Sequence, residues 1–104
     1  MNVNVDERVE RARNYFLNGY NCAQAVVMAF DDVMAMDVDV LARLTAPFGG
    51  GMGRMREVCG TVSGMTMVAG AIEPSVDPKN MSQRQANYAL VQAFAERFRS
   101  GNGD

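Results

Sequence analysis

At 104 residues the chain is long enough for one hydrophobic core and too short for two domains. Apolar residues make up 48% and charged residues 21%, as in ordinary globular proteins, and a net charge of -2 argues against binding to nucleic acid phosphates. The chain contains no histidine, which excludes Ser-His-Asp and Cys-His catalysis and mixed Cys/His zinc sites.

The first two predicted helices occupy the N-terminal third of the chain. The first runs from Val5 to Leu17, because apolar residues recur there at helical spacing, and the dipeptide Asn18-Gly19 ends it. The second begins at Asn21, a good N-cap, and continues through residues 21–33. Its wide apolar face indicates that this helix is heavily buried.

A shorter third helix follows, capped by Asp37. Three apolar residues are expected to share its buried face: Leu41, Leu44 and Phe48. A glycine-rich turn over residues 49–53 leads to the fourth helix, residues 56–72. That helix is apolar nearly all round, so we expect it at the centre of a bundle, and Pro74 closes it.

The fifth predicted helix follows Asp77-Pro78, an N-cap with proline at the first helical position. One of its sides is apolar: Met81, Tyr88, Val91, Ala95 and Phe98. It ends in a C-terminal signature: Arg97, Arg99 and Gly101. Because no segment resembles a strand, the sequence predicts an all-α fold, a compact bundle of about five helices in a single domain, residues 1–104.

The two cysteines, Cys22 and Cys59, each stand where a predicted helix begins. A helix N-terminus favours thiolate over thiol, and the thiolate is the nucleophilic, electron-carrying and metal-binding form of cysteine. The alternative is that each is a small buried apolar side chain. The two match no short metal-binding spacing and supply half of a tetrahedral thiolate site, so a metal would need further ligands or a second subunit.

Two sets of glycines are candidates for binding a cofactor. The turn could form a nest of N–H groups for an anion, a thiolate or a cluster sulfur, or it could be a tight reversal between helices; its glycines are Gly49, Gly50, Gly51 and Gly53. Gly60 and Gly64 place small residues one turn apart on the fourth helix. Glycine destabilises a helix relative to alanine, so we expect a compensating contact here, either the close approach of another helix or that of a flat cofactor.

The sequence favours a cytoplasmic protein. The longest uncharged stretch, residues 58–72, is too short to span a membrane, and charged residues come too early for a signal peptide. In a reducing compartment, two cysteines more often indicate a metal site, redox chemistry or a core position than a structural disulfide.

Three sequence blocks resemble the C_GCAxxG_C_C family of redox-active proteins. They are GYNCAQAV at residues 19–26, FGGGMG at residues 48–53 and VCGTVSG at residues 58–64. Their order and approximate spacing are similar to the family's, and the resemblance spans nearly the whole chain. It implies a small all-helical protein whose redox role is inferred from four cysteines, two of which correspond to Cys22 and Cys59. The family's glycine motif falls on Gly60 and Gly64, with Thr61 where the family usually has alanine.

The resemblance stops short at the C-terminus. The family's other two cysteines lie beyond the last long helix, and the sequence ends at residues 100–104, about where that segment would start. Either the segment is missing from the sequence in hand, or the protein lacks it. In the second case a four-cysteine cluster cannot form within one subunit.

Two functions remain open from the sequence. The first is a thiol-based redox or electron-transfer protein with a redox partner, in which Cys22 and Cys59 form a reversible disulfide or ligate a metal or iron–sulfur centre. The two sulfurs are then expected close together at one end of the bundle, beside the glycine turn. The alternative is a non-enzymatic helical module that forms a homodimer or binds a partner through the small residues of the fourth helix.

Overall fold

A computed structural model describes residues 5–102, which form six α-helices, one 3₁₀-helix and no strand. The predicted all-α single-domain fold is therefore confirmed for this part of the chain; residues 1–4, 103 and 104 of the predicted domain lie outside it. In chain order the elements are α1 (Val5–Leu17), α2 (Cys22–Met28), α3 (Asp31–Met34), α4 (Val38–Thr45), the 3₁₀-helix (Ala46–Phe48), α5 (Gly60–Ile72) and α6 (Met81–Asn102).

Helix α1 has the predicted bounds and is tied to α3 by two ion pairs. Arg8 donates to both carboxylate oxygens of Asp32, at 2.5 and 2.7 Å, and Arg11 donates to Asp31 at 2.6 Å. The Arg8 guanidinium also lies over the Phe30 ring, 5.2 Å from its centroid. The hydrogen bond from Arg8 holds the pKa of Asp32 well below its usual range, and Asp32 in turn raises the pKa of Arg8.

The predicted second helix is wrong in extent, because the chain breaks it into α2 and α3. Helix α2 ends at Met28, and α3 begins at Asp31 after Phe30, whose φ of -113° and ψ of 29° are not helical. The Ala29 carbonyl, which a continuous helix would use, accepts a hydrogen bond from Arg8 at 2.8 Å instead. The break therefore depends on a contact with α1, which a local pattern cannot reveal.

Helix α4 begins as predicted, since the Asp37 side chain accepts a hydrogen bond from the Asp39 N–H. The predicted apolar face is only partly correct: Leu41 is fully buried, but Leu44 is 52% exposed. Thr45 occupies the second buried position of this helix, and its hydroxyl donates to the Leu41 carbonyl. Leu41 packs with Val27 and Met28 of α2 in the centre of the core.

Helix α5 lies against α2, α3 and α6, as expected for the central helix, although it begins at Gly60 and not at residue 56. Left-handed backbone through most of residues 50–56 keeps that segment out of the helix. A β-carbon added to Gly64 would lie 3.1 Å from Val26 Cβ and 3.2 Å from the Ala23 carbonyl oxygen. The absence of a side chain at Gly64 therefore allows α2 and α5 to approach closely, which compensates for its cost to the helix.

Helix α6 begins at Met81 with Asn80 as its cap, so the prediction of Asp77 as the N-cap is wrong. The Asn80 side chain accepts a hydrogen bond from the Gln83 N–H, whereas Asp77 accepts one from Lys79 and closes a turn before the helix. Met81 and Tyr88 of the predicted apolar face are more than half exposed. The helix continues to Asn102, so Gly101 lies inside it.

Of the helices between residues 5 and 102, none combines the length and hydrophobicity that a bilayer span requires.

Candidate functional site

Both cysteines lie on one open cleft of about 460 Å³, formed where α2 and α5 begin and where the loop between the 3₁₀-helix and α5 passes over them. We call it the thiol cleft; its lining residues are Cys22, Gly50, Gly51, Arg56, Glu57, Cys59 and Gly60. Cys22 and Cys59 are free thiols with exposed side chains. The alternative that they are buried core residues is therefore wrong, and both sulfurs can be reached from solvent.

The position of Cys22 is fixed by a capping box at the start of α2. The Asn21 side chain accepts from the Gln24 N–H, and the Gln24 side chain accepts from the Asn21 N–H, each at 2.9 Å. The same two side chains reach the end of α4, where Asn21 donates to the Ala46 carbonyl and Gln24 to the Ala42 carbonyl. The start of α2, where Cys22 is the first residue, is thus fixed relative to the end of α4.

Cys59 is the N-cap residue of α5, and its carbonyl accepts the first hydrogen bond of that helix from the Ser63 N–H, at 2.9 Å. The loop before it has an unusual backbone. Six of its residues have positive φ values between 57° and 74°: Gly50, Gly51, Met52, Gly53, Arg54 and Arg56. Left-handed backbone costs roughly 1–2 kcal/mol at each non-glycine residue, and such strain persists where surrounding contacts enforce it, often at functional sites.

Most N–H groups of this loop donate hydrogen bonds to nearby backbone carbonyls. Those of residues 52–57 each donate to a backbone carbonyl between Pro47 and Met52, including Arg56 to Gly50 at 3.2 Å and Glu57 to Gly51 at 3.1 Å. Among the described residues, the N–H groups of Gly50 and Gly51 have no such acceptor. The predicted nest of N–H donors is therefore reduced to these two glycines, both of which line the thiol cleft.

At three glycine positions the structure leaves too little room for a side chain. A β-carbon on Gly51 would lie 2.7 Å from the Arg56 Cα, and one on Gly49 would lie 2.5 Å from the Asn21 side-chain nitrogen. A β-carbon on Gly60 would lie 3.3 Å from Cys22 Cβ and 3.1 Å from the Ala23 nitrogen. Because Gly60 has no side chain, the start of α5 beside Cys59 can lie close to Cys22. Gly64 packs one turn further along the same α2–α5 contact, and Gly53 is open to solvent in the loop.

Two charged residues of the cleft, Arg56 and Glu57, are not among the site residues that the sequence selects. Both are exposed, and they carry opposite charges at the rim beside the two thiols. The one sequence signal for them is their position, three and two residues before Cys59.

A second cavity of about 300 Å³ shares Cys22 with the thiol cleft. It lies between α1, α2 and the start of α5, and we call it the α1–α2 groove. Its lining is mostly apolar: Val9, Ala12, Arg13, Phe16, Cys22, Ala25, Val26 and Thr61. Cys22 therefore lies at the junction of two cavities.

Comparison with known proteins assigns the family. The sequence profile described as "Putative redox-active protein (C_GCAxxG_C_C)" matches residues 20–104, which include both cysteines, the glycine loop and α5. The chain belongs to the C_GCAxxG_C_C family. No curated protein and no solved structure matches it.

The described part of this C_GCAxxG_C_C protein does not fit a complete metal centre. Between residues 5 and 102, no group of three or more Cys, Asp or Glu side chains could hold a metal ion. Cys22 and Cys59 supply two sulfurs, whereas a tetrahedral zinc or an iron–sulfur cluster takes four ligands.

Proposed function

We propose that this protein is a dithiol–disulfide redox carrier in which Cys22 and Cys59 are the reactive pair. The observation that carries the proposal is that both thiols are exposed on one cleft and that a β-carbon on Gly60, next to Cys59, would lie only 3.3 Å from Cys22 Cβ. The redox description of the C_GCAxxG_C_C family supports it. The oxidant of the reduced pair is a disulfide, carried by a partner protein or by a small molecule.

The exchange needs no cofactor. The thiolate of one cysteine attacks a sulfur of the partner disulfide, so that a mixed disulfide forms and one partner thiolate leaves and takes up a proton. The second cysteine then attacks the mixed disulfide, and the other partner thiol leaves. Two electrons pass to the partner, which becomes two thiols, and the two cysteines become a disulfide. The reverse sequence reduces the protein again.

Residues of the cleft have defined parts in this scheme. Arg56 places a positive charge on the cleft, where it stabilises the departing partner thiolate. The N–H groups of Gly50 and Gly51, which lack an acceptor in the loop, are available to the same anion. Gly60 keeps the starts of α2 and α5 close enough for the second cysteine to reach the mixed disulfide.

Thiol titration of oxidised and reduced protein tests the proposal. After treatment with a disulfide oxidant and removal of excess reagent, we expect the monomer to lose both titratable thiols and the mass of two hydrogen atoms. Peptide mapping should join Cys22 to Cys59. The variants Cys22→Ser and Cys59→Ser should each stop at a mixed disulfide with the oxidant. Wild-type protein that also stops at two mixed disulfides would contradict the proposal.

Metal analysis separates this function from a metal centre. We expect protein purified without oxygen to contain no stoichiometric zinc or iron, and to keep two titratable thiols. If instead one metal or cluster is bound and is lost in both single-cysteine variants, the thiols are ligands, and the remaining ligands come from outside the described residues or from a second subunit.

A second candidate is the interaction module, for which α6 supplies a specific observation. Met81 and Tyr88 lie two turns apart on α6 and are 53% and 57% exposed. By contrast, Gly60 and Gly64 of α5 are already covered by α2 within the chain. If self-association is the function, Met81→Ser and Tyr88→Ser together should convert an oligomer to a monomer in light scattering, while Cys22→Ala and Cys59→Ala leave the oligomer intact.

A further inference from the structure

The two cysteines differ in what lies beside them. Cys22 lines both the thiol cleft and the α1–α2 groove, whereas Cys59 lines the cleft and not the groove. The groove has about 300 Å³, which is the low end of the range for small-ligand pockets. Its α1 side includes Val9 and Phe16, and both are more than half exposed. A small apolar group in this groove therefore lies beside Cys22.

The charges of the two cavities also differ. In the cleft, an anion that Arg56 attracts also faces the carboxylate of Glu57. Arg13 is the charged residue among those lining the groove, and no acidic residue accompanies it there. Arg13 has no ion pair within the described part of the chain. The groove thus matches a group that is both apolar and anionic.

We propose that Cys22 is the attacking cysteine and that the α1–α2 groove binds the apolar, carboxylate-bearing half of a small organic disulfide. This inference rests on the dithiol function proposed above and names its substrate class. The Cys22 thiolate attacks the near sulfur of R–S–S–R, forming Cys22–S–S–R and releasing one thiolate. The Cys59 thiolate then attacks the Cys22 sulfur, the second thiolate leaves, and the substrate has gained two electrons.

Single-thiol variants test which cysteine selects the substrate. Reduced Cys59→Ser and Cys22→Ser are each mixed with an anionic aromatic disulfide, dithiobis(nitrobenzoate), with neutral dithiodipyridine and with cationic cystamine. The rates of mixed-disulfide formation are compared as the ratio of the anionic to the cationic probe. Since each probe reacts with both variants, its intrinsic reactivity cancels. We expect this ratio to be about tenfold higher for the Cys22 thiol than for the Cys59 thiol.

Two arginine variants, one in the groove and one outside it, supply the matched control. In the Cys59→Ser background, Arg13→Gln should slow the anionic probe by about threefold or more and leave the neutral probe unchanged. Arg43→Gln removes the same charge from an exposed position on α4 that is outside both cavities, and it should change neither rate.

The outcomes distinguish the two proposals. If wild-type protein forms the Cys22–Cys59 disulfide but the two single-thiol variants show equal rate ratios, the groove has no such role and this inference is overturned while the dithiol function stands. If no probe converts the wild-type protein to that disulfide, the dithiol function itself fails, and the inference fails with it.

Discussion

Asn21 and Gly49 are in such close contact that a β-carbon on Gly49 would lie 2.5 Å from the Asn21 side-chain nitrogen and 2.9 Å from its Cγ. The same Asn21 side chain caps α2 and donates to the Ala46 carbonyl at the end of α4. Gly49 itself has an ordinary φ of -65°. Space, and not backbone conformation, therefore requires glycine here, and one side chain links the glycine loop to the helix that presents Cys22.

The first prediction is that Gly49→Ala destabilises the protein by about 1–3 kcal/mol, the usual cost of overpacking, because the added methyl group displaces the Asn21 cap. Urea unfolding measures the loss. Gly70→Ala is the control: a β-carbon at Gly70 in α5 meets nothing within 4 Å, so alanine should add about 1 kcal/mol through helix propensity. Equal stabilities for the two variants would show that the Asn21 contact is unimportant.

The second prediction separates backbone strain from crowding in the glycine loop. Gly51 and Gly53 both have left-handed backbone, with φ of 74° and 60°, but a β-carbon would lie 2.7 Å from backbone at Gly51 and 3.9 Å from it at Gly53. Gly53→Ala should therefore cost about 1–2 kcal/mol. Gly51→Ala should cost about 3 kcal/mol or more. Thermal and urea unfolding compare them; a smaller loss for Gly51→Ala would be inconsistent with this loop geometry.

Local capping signals explain the parts of the fold that could be predicted from the sequence. Asn21 and Asp37 cap helices as expected, since a side-chain oxygen that accepts a hydrogen bond from a nearby N–H acts over two or three residues. The end of α2 could not be predicted in this way, because Arg8 takes the Ala29 carbonyl across 21 residues of sequence. Long-range competition for a backbone acceptor leaves no local pattern.

The candidate site, like the fold, could be predicted from the sequence only in part. The positions of Cys22 and Cys59 at two helix starts could be predicted, and the fold places both on one cleft. The left-handed backbone of Met52, Arg54 and Arg56 could not, because these residue types normally avoid positive φ. For that reason only the structure reveals that α5 starts later than predicted and that Arg56 lies on the cleft.

The third prediction concerns the pH dependence of stability. Because Arg8 lowers the pKa of Asp32 in the folded state, the pair stabilises the protein fully above the ordinary carboxyl value near 3.8. As the pH falls below that value the unfolded state binds a proton first, and the contribution is progressively lost. Asp32→Asn should therefore lower the melting temperature at pH 7, and its difference from wild type should shrink as the pH falls below about 4.

Glu96→Gln is the control for that comparison. It removes one negative charge from an exposed position on α6, for which no ion pair is present in the described residues. Its difference in melting temperature from wild type should stay small across the same pH range. A constant deficit for Asp32→Asn down to strongly acidic pH would mean that the ion pair with Arg8 is not its cause.

The last prediction uses the two glycines at the start of α5 to separate redox chemistry from stability. A β-carbon at Gly60 would lie 3.3 Å from Cys22 Cβ, whereas one at Gly64 would lie 3.1 Å from Val26 Cβ, one turn away from the thiols. Both alanine variants should therefore lose stability by overpacking the α2–α5 contact, by about 1–3 kcal/mol. Only Gly60→Ala pushes the residue next to Cys59 away from Cys22.

We expect Gly60→Ala to lower the equilibrium constant for forming the Cys22–Cys59 disulfide by about tenfold, equivalent to about 1.4 kcal/mol, because the two sulfurs must approach against the added methyl group. Gly64→Ala should leave that constant within about twofold of wild type. Equilibration in glutathione buffers, followed by trapping and mass analysis of the thiols, measures both. If the two variants shift the constant equally, the effect arises from general loosening of the α2–α5 contact, and Gly60 has no specific part in bringing the cysteines together.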